Sequence, residues 1–322
     1  MSLPISIAER LTLPVMVAPM FLVSSVDLAV ASCLQGFVGS LTRNHCSSDE
    51  EFDGQLATVR AALDRAADTE HGRIIGPLAA NISIRTDRVT WMNALDACRR
   101  HGVDIIVTAS GDPADASRLV HEWGGRIFHD VTSLRFAEKA IAAGVDGLVA
   151  IGAGGGGHSG TLSHLVFVPQ LRRMFEGVIV MAGAVANGAA IRAAEVLGAD
   201  LAYMGTRFIA AEESGAPPEY KRMLVDQTPA DLVYTASVNG VPAMWLKESL
   251  RSHGLDPDDL PIPAARGIGH LPPGVEPWKN LFSAGQGIGF VEEILPVDEI
   301  AQTLRAEYDL ACQVSSWRPV GR

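Results

Sequence analysis

Residues 143–160 read AGVDGLVAIGAGGGGHSG, and this stretch decides the fold. Ala143-Gly144-Val145-Asp146 is a joint, in which a glycine just past a helix turns left-handed before the next run begins. Gly147–Ile151 is that run. Its near-continuous hydrophobicity suits a strand buried on both faces, as in a parallel sheet. Gly152–Gly160 then forms a glycine-rich turn around a histidine. The joint recurs as His101-Gly102-Val103-Asp104 and as Leu197-Gly198-Ala199-Asp200, each before another apolar run. Three copies imply repeated βα units with right-handed crossovers.

Further apolar runs are expected as strands at Pro14–Pro19, Phe37–Leu41, Ile74–Ile82, Asp104–Thr108, Arg126–Asp130, Val178–Ala182 and Leu201–Met204. Segments of helical period lie between them, for instance Asp87–His101, Ser133–Ala143 and Gly188–Leu197. Eight such units close into an α/β fold, the (β/α)8 TIM barrel. An open doubly wound sheet is the alternative. After about Ala210 the pattern changes. Pro217-Pro218 breaks the chain, and helix-like pieces (Glu219–Asp226, Met244–Ser252, Val297–Ala311) flank the Gly/Pro-rich stretch Pro261–Pro277. The expected organisation is a barrel over 1–210 and a C-terminal helical extension over 211–322, packed on the barrel and partly covering the active-site mouth.

With 322 residues, 48% apolar and 20% charged, the chain has the composition of a packed protein and not of a disordered one. Its net charge of −11 argues against nucleic acid as a partner, because phosphate backbones need a basic face. No run of 18 apolar residues is present, so no membrane span is expected, and no signal peptide is visible. The four cysteines lie far apart without metal spacing, which reads as reduced thiols in a cytoplasmic protein.

In barrels the chemistry sits where the strands end. Gly152–Gly157 formally matches a dinucleotide fingerprint, but the loop-like His158-Ser159-Gly160-Thr161 follows where a helix should open, and Gly183 ends the next strand where an acidic residue is expected. The other reading is a main chain that must pass close to a flat ligand. Gly183, Ala184, Gly205 and Thr206 follow the last two strands and would cradle a phosphate, with help from the dipole of a helix starting near Asn187. His158 is the titratable side chain best placed for acid–base work. His164 is read as supporting structure. His129 and Asp130 end a strand on the same face and could touch ligand. The histidine spacing does not suit a metal, and Ser159 is not in a hydrolase elbow.

These segments resemble the nitronate monooxygenases, which are FMN-dependent (β/α)8 barrels. The likeness is carried by Ala18-Pro19-Met20, Ala80-Asn81, Gly156-Gly157-His158-Ser159-Gly160, Ala182-Gly183-Ala184-Val185, Met204-Gly205-Thr206-Arg207-Phe208 and Ala284-Gly285-Gln286, in the family's order. The resemblance implies FMN as cofactor. Ala18, Pro19 and Met20 would lie along its ring, with Asn81 bonded to the ring and Gly156 close to it. Gly183, Ala184, Gly205 and Thr206 would hold its phosphate, and Gln286 would lie near the site. It implies His158 as the active-site histidine, acting as base or binding the nitro group, and an alkyl nitronate and O2 as reactants. Homo-oligomerisation is left open. Two positions depart from the family: Ile151 stands where Gln or an acid is common, and Asp130 where many members carry Lys. Related activities are NAD(P)H-dependent reduction of enoyl thioesters or quinones. A flavin-free phosphate-binding barrel is the reading of another class.

Overall fold

The computed structural model describes residues 2–315. Eight parallel strands form its centre: β1 (Val15–Val17), β2 (Gly39–Thr42), β3 (Leu78–Ser83), β4 (Ile105–Ala109), β5 (Arg126–Val131), β6 (Gly147–Ile151), β7 (Val178–Ala182) and β8 (Leu201–Met204). Each pairs with the next, and β8 pairs with β1 in the register Val15↔Ala202. A parallel bridge between Met16 and Val38 joins β1 to β2 and closes the ring. The architecture is therefore a (β/α)8 barrel, as the sequence leads one to expect.

The strands are nearly all apolar because they are buried twice. Met16, Ala79, Ile105, Val107, Phe128, Val149, Val180 and Leu201 fill the barrel interior, and Ile7 plugs one end. Leu41, Leu148 and Ile179 face outward against the helices, in a second and larger core with Phe52, Leu56 and Phe167. The helices following the first seven strands are α1 (Val26–Leu34), α2 (Asp49–Thr69), α3 (Arg88–Arg100), α4 (Ala114–Glu122), α5 (Leu134–Ala142), α6 (His164–Met174) and α7 (Gly188–Leu197). Ser25, Ser48, Asp87, Ser133 and Asn187 cap α1, α2, α3, α5 and α7 by accepting the main-chain N–H three residues on.

The repeated Gly-x-Asp joint has a physical cause. Gly102, Gly144 and Gly198 all have positive φ, at 60°, 78° and 102°. The aspartate that follows accepts a main-chain N–H at the start of the preceding strand, from its first or second residue: Asp104 from Leu78 (2.9 Å), Asp146 from Ile127 (2.9 Å) and Asp200 from Ile179 (2.8 Å). These donors lie at the start of a strand, where the ladder offers no partner, so the carboxylate completes it.

The C-terminal part differs from expectation in two respects. Met244–Ser252 is not one helix. Its first residues form strand β10 (Ala243–Leu246), antiparallel to β9 (Leu232–Thr235), and only Lys247–Ser252 is helical. Burial of the whole Ala-Met-Trp-Leu run overrides its local helical look. The last helix, α8 (Val297–Cys312), expected as part of the extension, packs into the barrel itself. Val297, Ile300, Ala301 and Leu304 belong to the core between strands and helices. Tyr308 donates to Glu195 of α7 (2.8 Å), and Arg305 reaches the Gln35 carbonyl behind α1 (2.7 Å). α8 is thus the eighth barrel helix, and the segment between β8 and α8 is an insertion with its own core of Ile209, Tyr220, Leu224, Leu246, Phe282 and Ile288. Residues 316–322 of the expected extension lie outside the described part.

Asp200 is 1% exposed and also pairs with Arg172. Asp200→Ala should therefore cost about 3 kcal/mol, because it strands both a buried N–H and a partly buried guanidinium. Denaturant unfolding checks this, and the more exposed Asp104→Ala should cost less.

Candidate active site

The turns after the strands converge on one cavity of about 440 Å3. Ala18, Pro19, Met20, Asn81, Gly156, His158, Gly183, Ala184, Gly205 and Thr206 all line it. The volume falls within the roughly 300–1,000 Å3 of sites that bury a cofactor-sized ligand. The cavity lining includes no Lys or Arg, so an anion there would be held by main-chain N–H groups and the Thr206 hydroxyl. Gly183 has φ +118°, and Ala184, a non-glycine, has φ +57°. Left-handed backbone at an alanine costs on the order of 1 kcal/mol and persists where packing over-determines it. A Cβ on Gly183 would come within 3.1 Å of His164 Nε2 and 3.0 Å of the Ala153 carbonyl. His164 is thus wedged beneath two turns, and burial lowers its pKa.

The glycine-rich loop has a packing reason for its glycines besides the one the sequence suggests. A Cβ at Gly156 would lie 2.8 Å from the Gly285 nitrogen, and one at Gly285 would lie 2.7 Å from the Gly154 carbonyl. The close neighbour is therefore main chain of the insertion. Gln286 N–H donates to the Gly154 carbonyl (2.9 Å), and Gly285 N–H to Thr206 Oγ1 (2.9 Å). Gln286 itself is exposed and packs by its Oε1 against Gly154. It does not line the cavity, whereas Ser283, Ala284 and Gly285 do.

The helix near Asn187 is also not free to receive an anion. The Gly188 N–H is taken by Glu307 (2.7 Å) and the Ala190 N–H by Asn187 (2.8 Å), and α8 packs directly on Gly188. The expected dipole contribution is spent inside the protein.

His158 is placed by the insertion. Gly157–His158 pairs antiparallel with β10, in the register Ala243↔His158, and Tyr234 Oη donates to the Ser159 carbonyl (2.7 Å). The imidazole stands edge-on to Trp278, with ring centroids 4.9 Å apart. Asn239 Oδ1 accepts the Val241 N–H (3.1 Å), which turns Asn239 Nδ2 toward His158 Nε2 at 3.1 Å. A donor facing Nε2 leaves the imidazole proton on Nδ1. Burial lowers the pKa of His158, the hydrogen bond from Asn239 opposes it, and the charge of Arg266 acts with burial. Asn239 and Trp278 escape sequence reasoning. Both sit in irregular segments far from His158 in the chain, and Trp278 reads there as simple packing.

Asp130 and Tyr203 also line the cavity. Asp130 Oδ1 is enclosed and has no hydrogen-bond partner among the described residues. Burial pushes its carboxyl up to about 7. Burial, and then the charge of Asp130, raises the Tyr203 phenol well above its usual range. His129 does not line this cavity. Its Nδ1 lies 2.8 Å from Thr108 Oγ1, and burial lowers its pKa to about 4.

The sequence profile of the nitronate monooxygenases matches residues 6–307. The chain belongs to the nitronate monooxygenase family. It is 26% identical over 298 residues to a nitronate monooxygenase of Paraburkholderia phytofirmans, a match covering 80% of this chain and 79% of that one. It is 32% identical over 178 residues to Rv1533 of Mycobacterium tuberculosis, named as a monooxygenase. That match covers 53% of this chain and only 48% of the relative. Two solved structures share the fold. FabK from Thermotoga maritima has a TM-score of 0.76, 23% identity and coverage of 97% and 98%. Nitroalkane oxidase from Streptomyces ansochromogenes has a TM-score of 0.75, 23% identity and coverage of 95% and 98%. Membership makes this chain an oxidoreductase of that family. Among the described residues no helix is long and apolar enough to cross a membrane, and no cluster of potential metal ligands occurs.

The raised pKa of Asp130 sets a pH dependence. As pH climbs from about 4 to about 7, the unfolded chain ionises this carboxyl while the folded protein keeps its proton, so stability falls across that window. Asp130→Asn should match the parent near pH 4 and exceed it by roughly 2–4 kcal/mol at pH 8. Urea unfolding of the apoprotein at the two pH values measures the difference.

Proposed function

We propose that the protein is an FMN-dependent nitronate monooxygenase, oxidising alkyl nitronates with O2 to a carbonyl compound and nitrite. The observation that carries this reading is the meeting of side-chain-poor turns and a hydrogen-bonded histidine around one cavity. The residues suit FMN. Ala18, Pro19 and Met20 offer an apolar wall for its ring, Asn81 an amide, and Gly183, Ala184, Gly205 and Thr206 a cradle for its phosphate that needs no cationic side chain. The enclosed, unpartnered Asp130 oxygen adds a polar group at the same wall. Bound FMN would supply the electron transfer between nitronate and O2.

A nitronate is already the conjugate base of a nitroalkane, so its oxidation needs no proton taken from carbon. His158 has its Nε2 committed to Asn239, which leaves Nδ1–H to donate to a nitro oxygen. The role this supports is binding and orientation, not general base. Trp278 and the β10 pairing hold the ring in place, and the insertion covers the rim and limits water.

Purified protein should be yellow, with the absorbance of oxidised flavin. A colourless preparation that takes up no FMN would leave the flavin-free phosphate-binding barrel. Rapid bleaching on anaerobic mixing with NAD(P)H, without nitronate turnover, would establish the reductase of enoyl thioesters or quinones instead. For the histidine, His158→Ala should raise KM for nitronate roughly 10–100-fold, as loss of a hydrogen bond to a charged group does. His158→Asn should recover part of it, because its amide can still donate. A loss confined to kcat in both variants would assign His158 as a base.

A further inference from the structure

A second cavity of about 940 Å3 adjoins the first and shares Asp130, Ile151 and His158 with it. It runs outward between α4 and α5. Its inner wall is the Ser110–Pro113 turn after β4, and its outer wall is the α5 face carrying Phe136 and Ala140. Phe136 is 51% exposed, an aromatic ring left open to this space. Arg85 from the turn after β3, Lys139 from α5 and Arg266 from the insertion also line it.

These three cations share one cleft of an acidic chain. The protein carries a net charge of −11, and many of its arginines are tied to carboxylates, as in Arg43–Asp49, Arg100–Asp53 and Arg172–Asp200. Arg85, Lys139 and Arg266 have no ion-pair partner among the described residues. Asp112 is in the same wall, where it accepts the Ala114 N–H at 3.0 Å, and is outnumbered by the three cationic side chains. Unpaired cations gathered at one cleft of an acidic protein focus a positive potential there and draw anions in. The walls between them and His158 are largely Ala, Pro, Ile and Phe, which favour burial of alkyl groups.

We infer that this second cavity seats the tail of the substrate: an alkyl or acyl chain that ends in a carboxylate or phosphate among Arg85, Lys139 and Arg266 while its reacting head lies beside His158. The inference rests on the proposed reaction only for the identity of that head; the tail site can be measured without turnover. Calorimetric titration of the purified protein with octanoate, octyl phosphate and 1-octanol tests it. At least one anion should bind tenfold or more tightly than octanol. Preference for octanoate identifies the anion as carboxylate, and preference for octyl phosphate as phosphate. The double variant Arg85→Glu/Lys139→Glu should lose tenfold or more in anion affinity with octanol unchanged. Should charge reversal lower the melting temperature, Arg85→Gln/Lys139→Gln serves in its place. Equal binding of octanol and both anions, no binding of any of the three, or anion affinity indifferent to these substitutions would overturn the tail site. Turnover of small uncharged nitronates would stand or fall separately, so failure here is distinguishable from failure of the proposed reaction.

Discussion

The site depends on one close approach of two main chains. The glycine loop after β6 and the Ala284–Gly285 main chain of the insertion lie so near each other that a Cβ on Gly156 or on Gly285 would collide with the other segment. Packing of this density leaves no room to relax, so the insertion is fixed on the barrel rim and does not merely rest on it. From that contact the rest follows. β10 is brought alongside Gly157–His158, Trp278 and Asn239 reach the imidazole, and Thr206 is tied to Gly285. The barrel supplies the turns and the insertion completes the enclosure.

The electrostatics divide along the same line. The inner cavity has no cationic side chain in its wall and leaves anion binding to main-chain N–H groups. Burial raises the pKa of its carboxyl, Asp130, to about 7 and lowers that of its imidazole. The outer cavity carries Arg85, Lys139 and Arg266. A substrate moving inward would pass from a positive mouth to a nearly uncharged interior, where hydrogen bonds gain strength because water is excluded.

Much of this was legible in the sequence. Strands buried on both faces announce themselves as continuous apolar runs, so all eight barrel strands could be placed within a few residues. The Gly-x-Asp joint marked the repeat, although only the structure reveals that the aspartate takes an N–H at the start of the preceding strand. The rim residues from Ala18 to Thr206 could be assembled because barrel topology dictates where each strand ends. The rest depended on contacts between distant segments. Nothing local ties Asn239 or Trp278 to His158, or indicates that Glu307 occupies the start of α7. The Ala243–Leu246 strand is too short for its period to betray it. Gly156 could be read as close to a ligand, but not as a neighbour of Gly285, which lies some 130 residues away.

The central claim is that the turns after β7 and β8 exist to hold a phosphate on a flavin. Its most direct test is the affinity of the apoprotein for FMN against riboflavin, followed by quenching of flavin fluorescence. The account predicts FMN to bind about 100-fold more tightly, a difference of about 2.7 kcal/mol, with Gly183→Val erasing most of the gap while riboflavin still binds. Equal affinity for the two flavins, or no binding of either, would contradict it.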